Sequence, residues 1–144
     1  MVARPFGTKL AGLSMLVAAT SSLATPLIVY SPATPTTLIL EGSDTAIVSY
    51  VVTSQDYKTT SWTMTPILGI VQLTGAAEEC SSPFVLGLNQ SCTLDLQLSA
   101  AQMNEVTQGG PIACQSGNPL SCYQPSAANQ LEVTVSIFTG GFEP

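Results

Sequence analysis

Apolar and polar residues alternate most regularly along residues 92–99, where every second side chain is apolar. A period of two is typical of a β-strand with one buried face and one solvent-facing face. A turn is predicted just before it, at residues 87–90, because Asn89 adopts a left-handed backbone at little cost. The pattern therefore predicts a strand whose inward side chains are Cys92, Leu94, Leu96 and Leu98.

Shorter runs of the same kind occur on both sides of this strand. A strand predicted at residues 45–53 has apolar residues on both faces, as a central strand of a sheet does. Another at residues 59–65 turns Trp62 inward, where the indole is expected to fill the core. A closing strand is predicted at residues 131–138. Short extended runs are also predicted at residues 27–30, 36–40 and 67–73, and one helical turn at residues 99–103. Together these elements give about seven or eight short antiparallel strands, which predicts an all-β sandwich.

Four cysteines lie in the second half of the chain, and four cysteines allow three pairings. Short separations along the chain favour two local disulfides, Cys80–Cys92 and Cys114–Cys122. A zinc site is disfavoured, because the spacings lack a C-x2-C pair and the sequence contains no His. Two disulfides indicate an oxidising compartment.

The first 24 residues have the organisation of a secretory signal peptide. Arg4 and Lys9 provide a positive start, an apolar run follows at residues 10–20, and residues 22–24 fit a small-residue cleavage site. The apolar run is short for a membrane anchor, so cleavage is expected instead. Residues 25–144 are then predicted to form one domain with no stable membrane insertion.

Cleavage at this site would leave a strongly acidic chain. Lys58 would remain as the single basic residue against nine acidic residues, which gives a formal charge of −8. Nucleic acid is disfavoured as a partner, because phosphate binding needs clustered Lys or Arg. An anionic membrane surface is disfavoured for the same reason. A basic or neutral partner fits this charge better.

The sequence offers few catalytic candidates. Without His, the Ser-His-Asp and Cys-His arrangements cannot form, and Lys58 lies in a polar turn. Glu78 and Glu79 are a candidate carboxylate pair for glycoside hydrolysis, and they or Glu41 and Asp44 are candidates for calcium binding. Neither pair has EF-hand spacing, and both are typical of solvated turns. The sequence therefore predicts no enzyme activity, metal or cofactor, with a small acidic hydrolase as the weakest alternative.

Two stretches resemble a known family. The run CSSPFVLGLNQSCTLDLQL, which starts at Cys80, is similar to the hydin-type immunoglobulin-like domains of bacterial surface and secreted proteins, with Asn89 where those domains usually carry Gly. The run GGPIACQSGNPLSCYQPSAANQL, which starts at Gly109, resembles immunoglobulin-like proteins secreted by intracellular Gram-negative pathogens, some of them type II secretion substrates. The resemblance covers residues 50–135 and implies an immunoglobulin-like β-sandwich exported through the periplasm. It implies no defined activity.

The interpretation that follows is a secreted, non-enzymatic binding or adhesion module that acts on a protein or glycan outside the cell, with a host surface as a candidate location. The stapled segment between Cys114 and Cys122 is the predicted contact site, because it is preorganised and rich in Gly, Ser, Asn and Gln. The same segment is equally consistent with a structural clip. The main alternative is a structural or assembly domain of the envelope, in the periplasm or at the cell surface. The predicted contact residues are Gln115, Asn118 and Tyr123.

Overall fold

Eleven strands and two single 3₁₀ turns account for the secondary structure of residues 25–136, the part of the chain that the computed structural model describes. The predicted signal peptide and the end of the predicted closing strand lie outside these residues. The 3₁₀ turns are Ala100–Gln102 and Ala127–Asn129. The strands are β1 (Ile28–Pro32), β2 (Thr37–Glu41), β3 (Thr45–Ser54), β4 (Thr60–Met64), β5 (Ile70–Leu73), β6 (Phe84–Leu86), β7 (Ser91–Ser99), β8 (Val106–Gln108), β9 (Ala113–Gln115), β10 (Asn118–Tyr123) and β11 (Glu132–Ser136).

The strands form two layers. One layer is an antiparallel sheet in the order β1-β3-β7-β5, which is the A-B-E-D order of an immunoglobulin-like sandwich. The other layer consists of two smaller sheets, β10-β9-β4-β6 and β2-β11-β8. The fold is therefore the predicted all-β, immunoglobulin-like sandwich with two local disulfides.

The second layer differs from the prediction in strand count and in one strand direction. Four strands, β6, β8, β9 and β10, lie where no strand was predicted. Gly109 and Gly110, both with positive φ, separate β8 from β9, and the 3₁₀ turn at Ala127–Asn129 separates β10 from β11. β2 pairs with β11 in parallel, because no reversing turn separates β1 from β2 as the chain passes from one layer to the other. These four strands bring the count to eleven, against the seven or eight predicted.

The core lies between the layers and follows the predicted alternation. Along β7 the side chains of Leu94, Leu96 and Leu98 are fully buried, whereas Gln97 between them is exposed. Trp62 on β4 is fully buried opposite them, as predicted. The other large, fully buried side chains include Ile28, Val48, Tyr50, Val52, Phe84, Leu131 and Val133.

Two buried tyrosines connect the first layer to the end of β10 and to the segment between β10 and β11. The hydroxyl of Tyr30 donates to the carbonyl oxygen of Tyr123 at 3.1 Å, and the hydroxyl of Tyr50 donates to that of Asn129 at 3.0 Å. The two rings meet edge to face, with centroids 6.1 Å apart. Each buried hydroxyl thus has a partner, and the irregular segment is fixed against the first sheet.

We expect these tyrosines to make the fold sensitive to alkali. Burial raises the pKa of Tyr50 to about 12 and also raises the pKa of Tyr30. An unfolded tyrosine has a pKa near 10, so this stabilisation is complete below about pH 10 and is lost as the pH rises toward 12. Urea melts should show a falling free energy of unfolding across that interval. Tyr50→Phe should show a shallower fall, and equal slopes for the two proteins would contradict the assignment.

Candidate functional site

The segment between Cys114 and Cys122, for which no strand was predicted, is a β-hairpin. β9 and β10 are joined by the two-residue turn Ser116–Gly117, in which Gly117 has a φ of +80°. The register pairs Gln115 with Asn118 and Cys114 with Cys122. The disulfide therefore joins two directly opposite residues, with their Cα atoms 4.0 Å apart.

Both predicted disulfides are present, and no described cysteine is free. Cys80–Cys92 joins the loop before β6 to the start of β7, with Cα atoms 5.0 Å apart. Such bonds persist in oxidising compartments rather than in a reducing cytosol. Within residues 25–136, no helix is long and apolar enough to cross a membrane.

One strand of the hairpin is hydrogen-bonded to the rest of the sheet, and the other lies at the sheet edge. β9 pairs with β4, and beyond that pairing the Ser116 amide donates to the carbonyl oxygen of Ser61 at 2.8 Å. The hydroxyls of the same two residues are hydrogen-bonded at 3.1 Å. β10 forms the outer edge of its sheet. The tip is therefore a rigid projection rather than a mobile loop.

The three predicted contact residues do not share one exposed surface. Tyr123 is half-buried, and its ring packs edge to face against Trp62 at 5.8 Å between centroids. Gln115 is also half-buried and pairs with Trp62, on the inward face of the sheet. Asn118, at the tip, is exposed. Asn118 is therefore placed to meet a partner, whereas Tyr123 serves the fold.

The sequence interpretation missed Leu120, which is the most exposed large apolar side chain among residues 25–136, at 95 %. Leu120 follows Pro119 in the part of β10 where the register with β9 shifts. An edge strand that contains Pro and an irregular register is poorly suited to pairing with another strand. The available sequence signal was a lone apolar residue between two cysteines, outside any alternating run.

Two of the candidate carboxylates, those of Glu79 and Asp44, cap turns. Glu79 accepts the Ala76 amide at 2.7 Å, and Asp44 accepts the Glu41 amide at 3.3 Å. The described residues contain no group of three or more His, Cys, Asp or Glu side chains that could hold a metal ion. These pairs thus have the local role that isolated carboxylates in turns commonly take.

Lys58 lies in the turn between β3 and β4, and its backbone amide donates to the carboxylate of Asp56 at 3.0 Å. The hydroxyl of Thr60 donates to the same carboxylate at 2.7 Å. These hydrogen bonds hold the pKa of Asp56 below its usual value, with a smaller contribution from the charge of Lys58. The hydroxyl oxygen of Ser54 accepts a hydrogen bond from the Asp56 amide at 3.2 Å in the same turn.

A scan against protein-family models and a search of curated proteins both find no match to this chain.

We expect the two disulfides to differ in their accessibility to reductant. Cys80 is fully buried, whereas Cys122 is exposed at the sheet edge. Thiol–disulfide exchange requires the attacking group to reach a sulfur atom, so Cys114–Cys122 should be reduced first. Limiting phosphine followed by alkylation and peptide mapping measures the order. Simultaneous or reversed reduction would show that the core does not shield Cys80.

Proposed function

We propose that this chain is an exported, non-enzymatic binding module that contacts a protein or glycan outside the cell through its stapled β9–β10 hairpin. The supporting observation is the exposed tip, where a nearly fully exposed Leu120 stands beside Asn118 on a frame fixed by a disulfide and by β4. A preordered surface loses little conformational entropy on binding. An apolar anchor beside adaptable polar groups is a common composition of binding surfaces.

Two further features support this proposal. The disulfides favour an oxidising compartment, and the first 24 residues have the pattern of an export signal. The sequence contains no His, and the carboxylates described above cap turns, so a binding role requires fewer assumptions than a hydrolytic one.

The test compares two double variants with matched residue types. Asn118→Ala with Leu120→Ala removes the tip surface, and Asn104→Ala with Leu68→Ala removes exposed side chains elsewhere. Labelled protein is incubated with cultured host cells and with immobilised extracellular matrix. The tip variant should lose about tenfold in affinity, as expected for an anchor residue, and the control variant should bind as the parent does. Undiminished binding by the tip variant would place the contact elsewhere.

Fractionation of the producing cells tests the export part of the proposal separately. Mature protein should accumulate in the culture supernatant. Its intact mass should equal that of a chain that begins at Thr25. Retention in the envelope fraction would favour a structural or assembly role in the envelope instead.

A further inference from the structure

β6 forms one edge of its sheet, and the stapled hairpin forms the opposite edge. The open edge of β6 lies beside a groove. The groove has a volume of about 640 Å³ and lies between β6 and the first residues of β7. Its walls include Val51, Phe84 and Val85, together with the Cys80–Cys92 disulfide. A groove of this size is within the range of natural ligand sites.

Backbone pairing leaves one residue of β6 with both polar groups unused. Ser116 donates to the carbonyl of Ser61, so the odd-numbered residues of β4 direct their backbone groups toward β9. The even-numbered residues therefore bond to Phe84 and Leu86 of β6. The amide and carbonyl of Val85 are directed away from β4, and neither has a backbone partner among residues 25–136. Val85 thus presents a donor and an acceptor at an open edge beside the groove.

Charge determines what kind of chain fits this edge. Glu78 and Glu79 also line the groove, and the described residues contain one Lys against eight carboxylates. A second copy of this protein would bring like charge to the site, whereas a basic segment would bring the opposite charge. The apolar side chains of Val51 and Val85 suit alternate apolar residues of an extended segment.

From these observations we infer that the groove binds an extended basic segment of a partner protein, which adds to the edge of β6 through the backbone of Val85. The mode is β-strand addition, in which backbone hydrogen bonds provide affinity and side-chain contacts provide selectivity. Because β6 and β10 are opposite edges of one sheet, this site is distinct from the hairpin of the proposed function. Either site can fail its test without affecting the other.

The experiment titrates the disulfide-bonded protein with the capped hexapeptide Lys-Val-Lys-Val-Lys-Val and follows backbone amides by NMR. Saturable chemical-shift changes should be largest for the amides of Val85 and Thr93, and they should give a Kd at or below about 1 mM at low salt. The amide of Val85 should also become protected from hydrogen exchange. Absence of saturable shifts, or shifts confined to the β9–β10 hairpin, would overturn the inference.

Two controls separate strand addition from simple charge attraction. The same peptide N-methylated at every residue has no peptide N–H left to donate to the carbonyl of Val85, and the Glu-Val-Glu-Val-Glu-Val peptide has the wrong charge, so neither should bind. Glu78→Gln should weaken binding of the basic peptide by about two- to fivefold. Glu41→Gln, the same change at the end of β2 and away from the groove, should have no effect. Equal binding of the N-methylated peptide, or equal effects of the two substitutions, would overturn strand addition at this groove.

Discussion

Leu96→Ala should lower the free energy of unfolding by about 2–5 kcal/mol, because it leaves a cavity in the core as well as removing apolar contact. Leu96 is fully buried at the centre of β7, between β3 and β5. It pairs with Val48 on one side and Gln72 on the other, so both neighbouring strands limit relaxation into the space. Urea denaturation at neutral pH measures the loss.

Gln97→Ala is the matched control, since this side chain is exposed on the opposite face of the same strand. Its substitution should change stability by less than about 0.5 kcal/mol. Asp95, the neighbour of Leu96 on its N-terminal side, is a poorer control, because its Oδ1 is buried without a hydrogen-bond partner. Equal losses for Leu96→Ala and Gln97→Ala would mean that the two faces of β7 are assigned wrongly.

Gly69→Ala should be similarly destabilising, by about 2–5 kcal/mol, for a reason that involves the backbone. Gly69 has a φ of +74°, and a Cβ there would contact Cγ of Met103 and lie 2.9 Å from the backbone of Gln102. An unfavourable φ costs about 1–3 kcal/mol, and overpacking against a fixed backbone adds a comparable amount. Thermal or urea unfolding of the disulfide-bonded protein measures the combined effect.

Gly117→Ala separates the two contributions. Gly117 has a φ of +80°, but a Cβ there would meet nothing within 4 Å. Its substitution should therefore cost only the backbone contribution and should be clearly milder than Gly69→Ala. If the two substitutions cost the same, steric contact with Gln102 and Met103 is not what requires glycine at position 69.

The alternation along β7 allowed its inward and outward faces to be predicted correctly, whereas β3, predicted to be apolar on both faces, leaves Ile47 exposed. A strand covered on one face must alternate apolar and polar side chains, so its pattern is local and readable. The same holds for Asn89, whose φ of +60° confirms the predicted turn. The predicted helical turn is present as Ala100–Gln102, but Ser99 does not cap it with its side chain. At the start of that turn the Ala100 amide donates to the carbonyl oxygen of Asp44 at 2.9 Å instead.

The candidate site was only partly predictable. Spacing identified Cys114–Cys122, because short separations close easily. The side on which Tyr123 would lie depends on its register with Ala113, and that register places its ring toward Trp62. No local pattern in the sequence encodes that pairing.

The sequence by itself thus determined the all-β class, the core faces of the main strands, the local disulfides, and the absence of His-dependent chemistry. The tertiary structure decided which surfaces are free to meet a partner. It folded the stapled segment into a hairpin that exposes Leu120, and it left Val85 with unpaired backbone groups beside an acidic groove. Burial of a side chain follows from the periodicity of its own strand. Exposure at a sheet edge depends on which strands pair with one another. Those strands are far apart in the sequence, so their pairing is decided only in the folded protein.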